Sequence, residues 1–164
     1  MSTNRLSQLE DQLDLLQEQL GGLEKAKALS PMEEGVRLGQ RIRELKKEIR
    51  AVEEEYWQTM ANLASQLDIP EAEAEVAVGE IVEAVTQIEA YPTPTYSAEI
   101  LQLLREIRDK LNAPGATASA KVKGVISSMP PFIGISFEPE LDVEKFVQKN
   151  FPTFRKLIRG AAKK

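Results

Sequence analysis

Leu6, Leu9, Leu13, Leu16, Leu20 and Leu23 alternate by three and four residues, with mostly polar side chains between them. That spacing keeps one apolar stripe on an α-helix and is the a/d seam of a coiled coil. It predicts a first helix over about 3 to 29, roughly 40 Å long at 1.5 Å per residue. Gly21 and Gly22 sit inside the stripe. Each costs a helix roughly 0.8 to 1 kcal/mol relative to alanine, which predicts a soft spot or bend there.

Ser30-Pro31-Met32-Glu33 punctuates the pattern. A serine, a proline and a glutamate three residues after the serine have the spacing of a capping box with a preset first turn. Leu38, Ile42, Leu45, Ile49, Val52 and Tyr56 then resume the alternation, and Met60, Leu63 and Leu67 continue it with one step of four where three was due. This stutter relaxes a supercoil locally. A second helix over about 31 to 67 would span roughly 55 Å, and the short connection predicts an antiparallel hairpin. Its distal part, from Trp57 to Leu67, outruns the first helix and is expected to pack on the rest of the chain. The proximal seam is then left as the surface that finds a partner.

Beyond the hairpin the period persists in shorter pieces. Asp68-Ile69-Pro70-Glu71 repeats the capping spacing and predicts a helix to about Ala90, with Val76, Gly79, Ile81, Val82 or Val85, and Ile88 on its apolar side. Tyr91-Pro92-Thr93-Pro94-Thr95-Tyr96 cannot stay helical, because proline lacks an amide hydrogen and biases its predecessor toward extended backbone. Ser97 opens a helix to about Asn112 with Ile100, Leu103, Leu104, Ile107 and Leu111 on its core face. Another runs from Ala116 to about Met129, where Pro130 and Pro131 are expected to stop it. Ile133, Ile135 and Phe137 alternate at the period of extended chain. Asp142 caps a helix to about Lys149, and a last helix follows Phe151-Pro152-Thr153 to about Gly160. Four of the five phenylalanines fall between 137 and 154, where an aromatic core is expected.

The fold class is therefore all-α: a long antiparallel coiled-coil hairpin over 1–67, then a small helical domain over 68–164 with a proline-rich connector at 91–96. At 164 residues the chain has room for one domain with an arm. Cysteine and histidine are both absent. That removes disulfides, thiolate metal sites and Ser-His-Asp or Cys-His catalysis, and no catalytic residue, cofactor or metal ligand is expected. No run approaches the roughly 20 apolar residues of a membrane span, and the N-terminus lacks the order of a signal peptide, so a cytoplasmic location is expected. The formal charge is −5, unevenly spread: 9 basic and 12 acidic residues over 1–67, none and 8 over 68–99, 12 and 6 over 100–164.

Chemistry-bearing motifs are few. Glu53-Glu54-Glu55 and Glu71, Glu73 and Glu75 spread around helices and predict solvated acidic faces, and neither GxxxxGK[ST] nor GxGxxG occurs. The interaction candidates are the seam residues Leu6, Leu9, Leu13, Leu16, Leu20, Leu38, Ile42, Leu45, Ile49 and Val52. Tyr56 and Trp57 are a candidate contact point, since such rings are enriched at interface hot spots. Lys145, Lys149, Arg155, Lys156 and Arg159 surround the C-terminal phenylalanines and are candidates for an anionic membrane or ligand. Together these predict a non-enzymatic adaptor or assembly protein whose partner is another protein or a second copy. Nucleic acid is not expected, and peripheral membrane binding is the alternative.

Two stretches also carry a resemblance. Leu20-Gly21-Gly22-Leu23-Glu24-Lys25, Arg41-Ile42-Arg43 and Glu54-Glu55-Tyr56-Trp57 resemble a helical hairpin of cyanobacterial multidomain signalling and conflict proteins, in which such modules accompany TIR, NACHT, caspase-like or pentapeptide-repeat regions. The run Val76-Ala77-Val78-Gly79-Glu80-Ile81-Val82, with Leu103 to Asn112, Ala120-Lys121-Val122-Lys123, Pro130-Pro131-Phe132 and Phe151-Pro152-Thr153-Phe154, is similar to a C-terminal module of the same setting. The resemblance implies an adaptor role through association of like modules, here without an effector domain.

Overall fold

A computed structural model describes residues 2–91, 96–136 and 142–163. Every regular element among them is helical: α1 (Ser2–Leu29), α2 (Met32–Leu63), a 3₁₀ turn (Ala64–Gln66), α3 (Glu71–Ala90), α4 (Ala98–Asn112), α5 (Ala118–Ser136), α6 (Val143–Asn150) and α7 (Pro152–Ala162). No helix is long and apolar enough to cross a membrane among the described residues. The chain forms two compact units, Met1–Tyr56 and Trp57–Lys164. The division falls inside α2, not at 67/68, and coincides with the stutter after Tyr56. From Trp57 onward the helix belongs to the second core, where the Trp57 ring stacks on Phe154 at 6.1 Å between centroids.

In the N-terminal unit α1 runs through Gly21 and Gly22 as one helix, and a methyl group on either would meet nothing within 4 Å. Neighbouring turns carry the helix past the two weak positions, so the expected interruption is absent. The junction with α2 differs from a capping box. The Ser30 hydroxyl donates to the Lys27 carbonyl at 3.0 Å, closing the end of α1, and the first bond of α2 runs from the Gly35 amide to the Pro31 carbonyl.

The C-terminal unit is organised by α3, which packs against α4, α5, α6 and α7, while α4 lies on α5 and α6 on α7. The buried face of α3 is Ala74, Ala77, Ile81, Val85 and Ile88, and Val76 is 60% exposed. Alanines on that face allow the close approach that a hub helix needs, and the stripe read through Val76 and Gly79 points outward. Asp68 does not cap α3. Pro70 stands at the N-cap without a side-chain bond. Ser97 and Asp142 do cap α4 and α6, accepting from the Ile100 and Lys145 amides at 3.2 and 3.1 Å.

The largest departure is α5, which continues through Pro130 and Pro131 to Ser136. An internal proline costs a helix about 3 kcal/mol. Here Val122, Val125, Ile126, Met129, Phe132 and Ile133 are all buried at helical spacing across the proline pair. Packing of that stripe outweighs local propensity, and Ile133 belongs to it as a helical residue, not to an extended segment. One turn upstream the Ser127 and Ser128 hydroxyls donate to the Lys123 and Gly124 carbonyls, a bond that bends helices. Phe137 and the connector residues 92–95 lie outside the described residues.

The aromatic core forms where expected, with a wider membership. Phe146 contacts Tyr96, Phe132 and Phe151 at 5.4 to 5.7 Å, and Phe151 leads edge-on to Phe154. Trp57 closes the chain of rings.

Candidate functional site

The seam positions are already buried within the chain. Leu6, Leu9, Leu13, Leu16 and Leu20 of α1 and Ile42, Leu45 and Ile49 of α2 are buried, with Leu38 and Val52 half-buried. Polar contacts flank this stripe. Arg5 bonds Glu55 at 2.6 Å, and the Tyr56 hydroxyl donates to the buried Glu10 carboxylate at 2.6 Å. At the other end a methyl group on Gly39 would come within 3.2 Å of the Lys27 ammonium. The Arg5 guanidinium holds the Glu55 carboxyl below the usual carboxylate range through their hydrogen bond. The seam is therefore not an exposed surface.

Exposed apolar side chains gather instead at the connection of α1 to α2. Leu29, Met32 and Val36 are 80%, 87% and 69% exposed, three of the six large apolar side chains that stand in solvent among the described residues. Leu29 ends α1, whereas Met32 and Val36, one helical turn apart, share a side of α2. Gly35 and Gly39, three and seven residues after Met32, lie on the adjoining side of the helix and are buried. Charged residues bracket the apolar set: Lys25 and Lys27 before it, Glu33 and Glu34 within it, Arg37 after it and paired to Glu34 at 2.8 Å. Sequence reasoning missed these residues. Their signal was that large apolar side chains beside a turn fall outside both seams.

The other candidates are placed differently. Tyr56 and Trp57 are fully buried and cannot be an exposed contact point. Arg155 is 4% exposed: its Nε bonds Glu144 at 3.0 Å and its guanidinium lies 5.7 Å from the Trp57 ring centroid. It is an internal cation, withdrawn from any anionic ligand. Lys145, Lys149 and Lys156 are exposed and Arg159 is half-buried. Phe146, Phe151, Phe154, Leu157 and Ile158 are all buried, so the apolar residues that would have to enter a bilayer are committed to the core.

The acidic residues of α3 are not simply a solvated face. Glu71 accepts the Ala118 and Ser119 amides at the start of α5 at 2.8 and 3.0 Å, and Glu80 accepts the Thr153 amide and hydroxyl at the start of α7, both at 2.7 Å. Carboxylates there satisfy orphan amides and complement the helix dipole. Glu89 pairs with Arg105 and Arg108 of α4. A shallow cleft of about 190 Å³ lies between α4 and α5, lined by Ile107, Leu111, Ala120, Gly124 and Val125 with Lys110 and Lys121 at its rim. No group of three or more carboxylates is placed to hold a metal among the described residues.

Comparisons with protein-family models, curated proteins and solved structures each return no match to the chain.

Proposed function

We propose that the chain is a non-enzymatic interaction protein, an adaptor or assembly subunit, that docks partners through the exposed turn of its N-terminal helices. In this reading α1 and α2 are an antiparallel coiled-coil hairpin closed within one chain. Arg5 beside Glu55 and Lys27 beside Gly39 fit antiparallel helices. The buried leucines are the mutual seam, and the hairpin presents Leu29, Met32 and Val36 at its tip. The observation that carries the proposal is this partition: seam residues buried, tip residues of the same apolar character left in solvent. Contiguous exposed apolar surface on a small protein is where partners dock. The resemblance to cyanobacterial helical modules would place that docking in modular signalling or conflict systems.

The test is chemical crosslinking of the tagged full chain in a lysate of its native cell, with Met32→Asp alongside. Adducts lost in Met32→Asp are expected. Adducts unchanged by this variant, which alters only a solvent-exposed side chain, would refute the tip as the docking surface.

A further inference from the structure

We infer that the exposed turn is a contact surface for a second copy of this chain, two copies meeting turn to turn about a two-fold axis. The inference rests on the proposed docking role of the turn and specifies its partner.

Area is the first argument. At these exposures Leu29, Met32 and Val36 present roughly 400 Å² of surface, within the range of the largest patch on an ordinary monomer. Two such patches facing each other remove roughly 800 Å² from water, and the flanking charged side chains bring the total near the 1,000 to 1,200 Å² of weak specific interfaces. One patch against a flat polar surface would fall short of that.

Charge is the second. Lys25 and Lys27 precede the apolar residues at the end of α1, and Glu33 and Glu34 lie among them at the start of α2. A two-fold contact is isologous, so residue i of one copy meets residue j of the other and the reverse. Lys25 lies one turn before Leu29 on α1 and Glu33 lies next to Met32 on α2, so a two-fold operation can bring the lysine of one copy beside the glutamate of the other. An anionic membrane would instead meet Glu33 and Glu34 beside the inserting residues, a repulsive arrangement. The same charges suit their own helix ends. Mixing two charge-reversed variants separates the roles, because helix-end effects do not depend on which copies are combined.

The experiment is sedimentation equilibrium of the full chain across micromolar concentrations. Wild type is expected to move from monomer toward dimer mass. Met32→Asp with Val36→Asp should weaken dimerisation by about tenfold or more with unchanged circular dichroism. Lys25→Glu with Lys27→Glu, and Glu33→Lys with Glu34→Lys, should each self-associate about tenfold more weakly, and their equimolar mixture should form a one-to-one pair. Wild type that stays monomeric, or a dimer indifferent to Met32→Asp with Val36→Asp, overturns the inference. A mixture no tighter than either variant alone overturns the two-fold charge pairing. If the purified chain is monomeric while Met32→Asp still abolishes adducts in lysate, this inference fails and the docking role stands.

Discussion

The N-terminal unit buries aliphatic side chains that recur at one spacing along two helices. The C-terminal unit adds a cluster of aromatic rings to aliphatic side chains brought together from six helices, α2 to α7. Its polar groups are used differently as well. Arg50 to Glu54 and Arg37 to Glu34 span one turn of α2, with Arg5 to Glu55 bridging two helices of the first unit. In the second unit Glu71, Glu80 and Glu89 each leave α3 for a different helix. A stripe that repeats along a long helix keeps one face buried over many turns. Short helices around a hub share no register, so their ends need individual fastenings.

That contrast orders the predicted losses of stability, all measurable by chemical denaturation. Phe154→Ala removes a ring stacked on Trp57 and edge-on to Phe151 and should cost about 4 kcal/mol. Leu13→Ala in the seam should cost about 3 kcal/mol. A larger loss for the leucine would break the contrast in which the ring cluster holds the more costly single contacts. Arg155→Ala strands a buried Glu144 carboxylate whose remaining hydrogen bond comes from Gln148, and should cost about 3 kcal/mol. Replacing both partners, Glu144→Gln with Arg155→Met, should recover most of that loss.

Smaller effects sharpen the comparison. Glu80→Ala, by uncapping α7, should cost about 1 to 2 kcal/mol, whereas alanine at the exposed Glu73 should cost under about 0.5 kcal/mol. Gly21→Ala and Gly22→Ala should each stabilise the N-terminal unit, by up to about 1 kcal/mol, since both sites are helical and open. Least is expected of Glu55→Gln. Arg5 depresses the folded pKa of Glu55, so the pair's small contribution is present above the carboxylate's unfolded value and is lost as pH falls through the folded one. The variant should therefore flatten the acid limb of the stability profile, in low salt only.

The same contrast explains what could be read from the sequence. The helical class and the buried seam follow from a period that repeats for many turns, and each leucine reinforces the next. Phe146, Phe151 and Phe154 were legible by clustering. The continuation of α5 past Met129 was not, because two prolines weigh heavily in a local reading while the stripe from Val122 to Ile133 acts only once its neighbours are in place. Arg155 read as a surface cation for a related reason. Its burial depends on Glu144 and Trp57, one of them far away in the chain, and no spacing rule links the three. The long-range acceptors Glu71 and Glu80 are likewise invisible, since the amides they satisfy lie 47 and 73 residues distant. At the turn the sequence signal was negative. Leu29, Met32 and Val36 belong to no stripe, and the structure leaves them exposed.

Self-recognition at that turn is tested most directly by a single introduced cysteine, because the natural chain has none. With Met32→Cys at the centre of the patch, oxidation of the dilute full-length protein should give a disulfide-linked dimer several-fold faster than Val76→Cys, a comparably exposed control on α3. Equal rates for the two cysteines would contradict a turn-to-turn pairing of two copies.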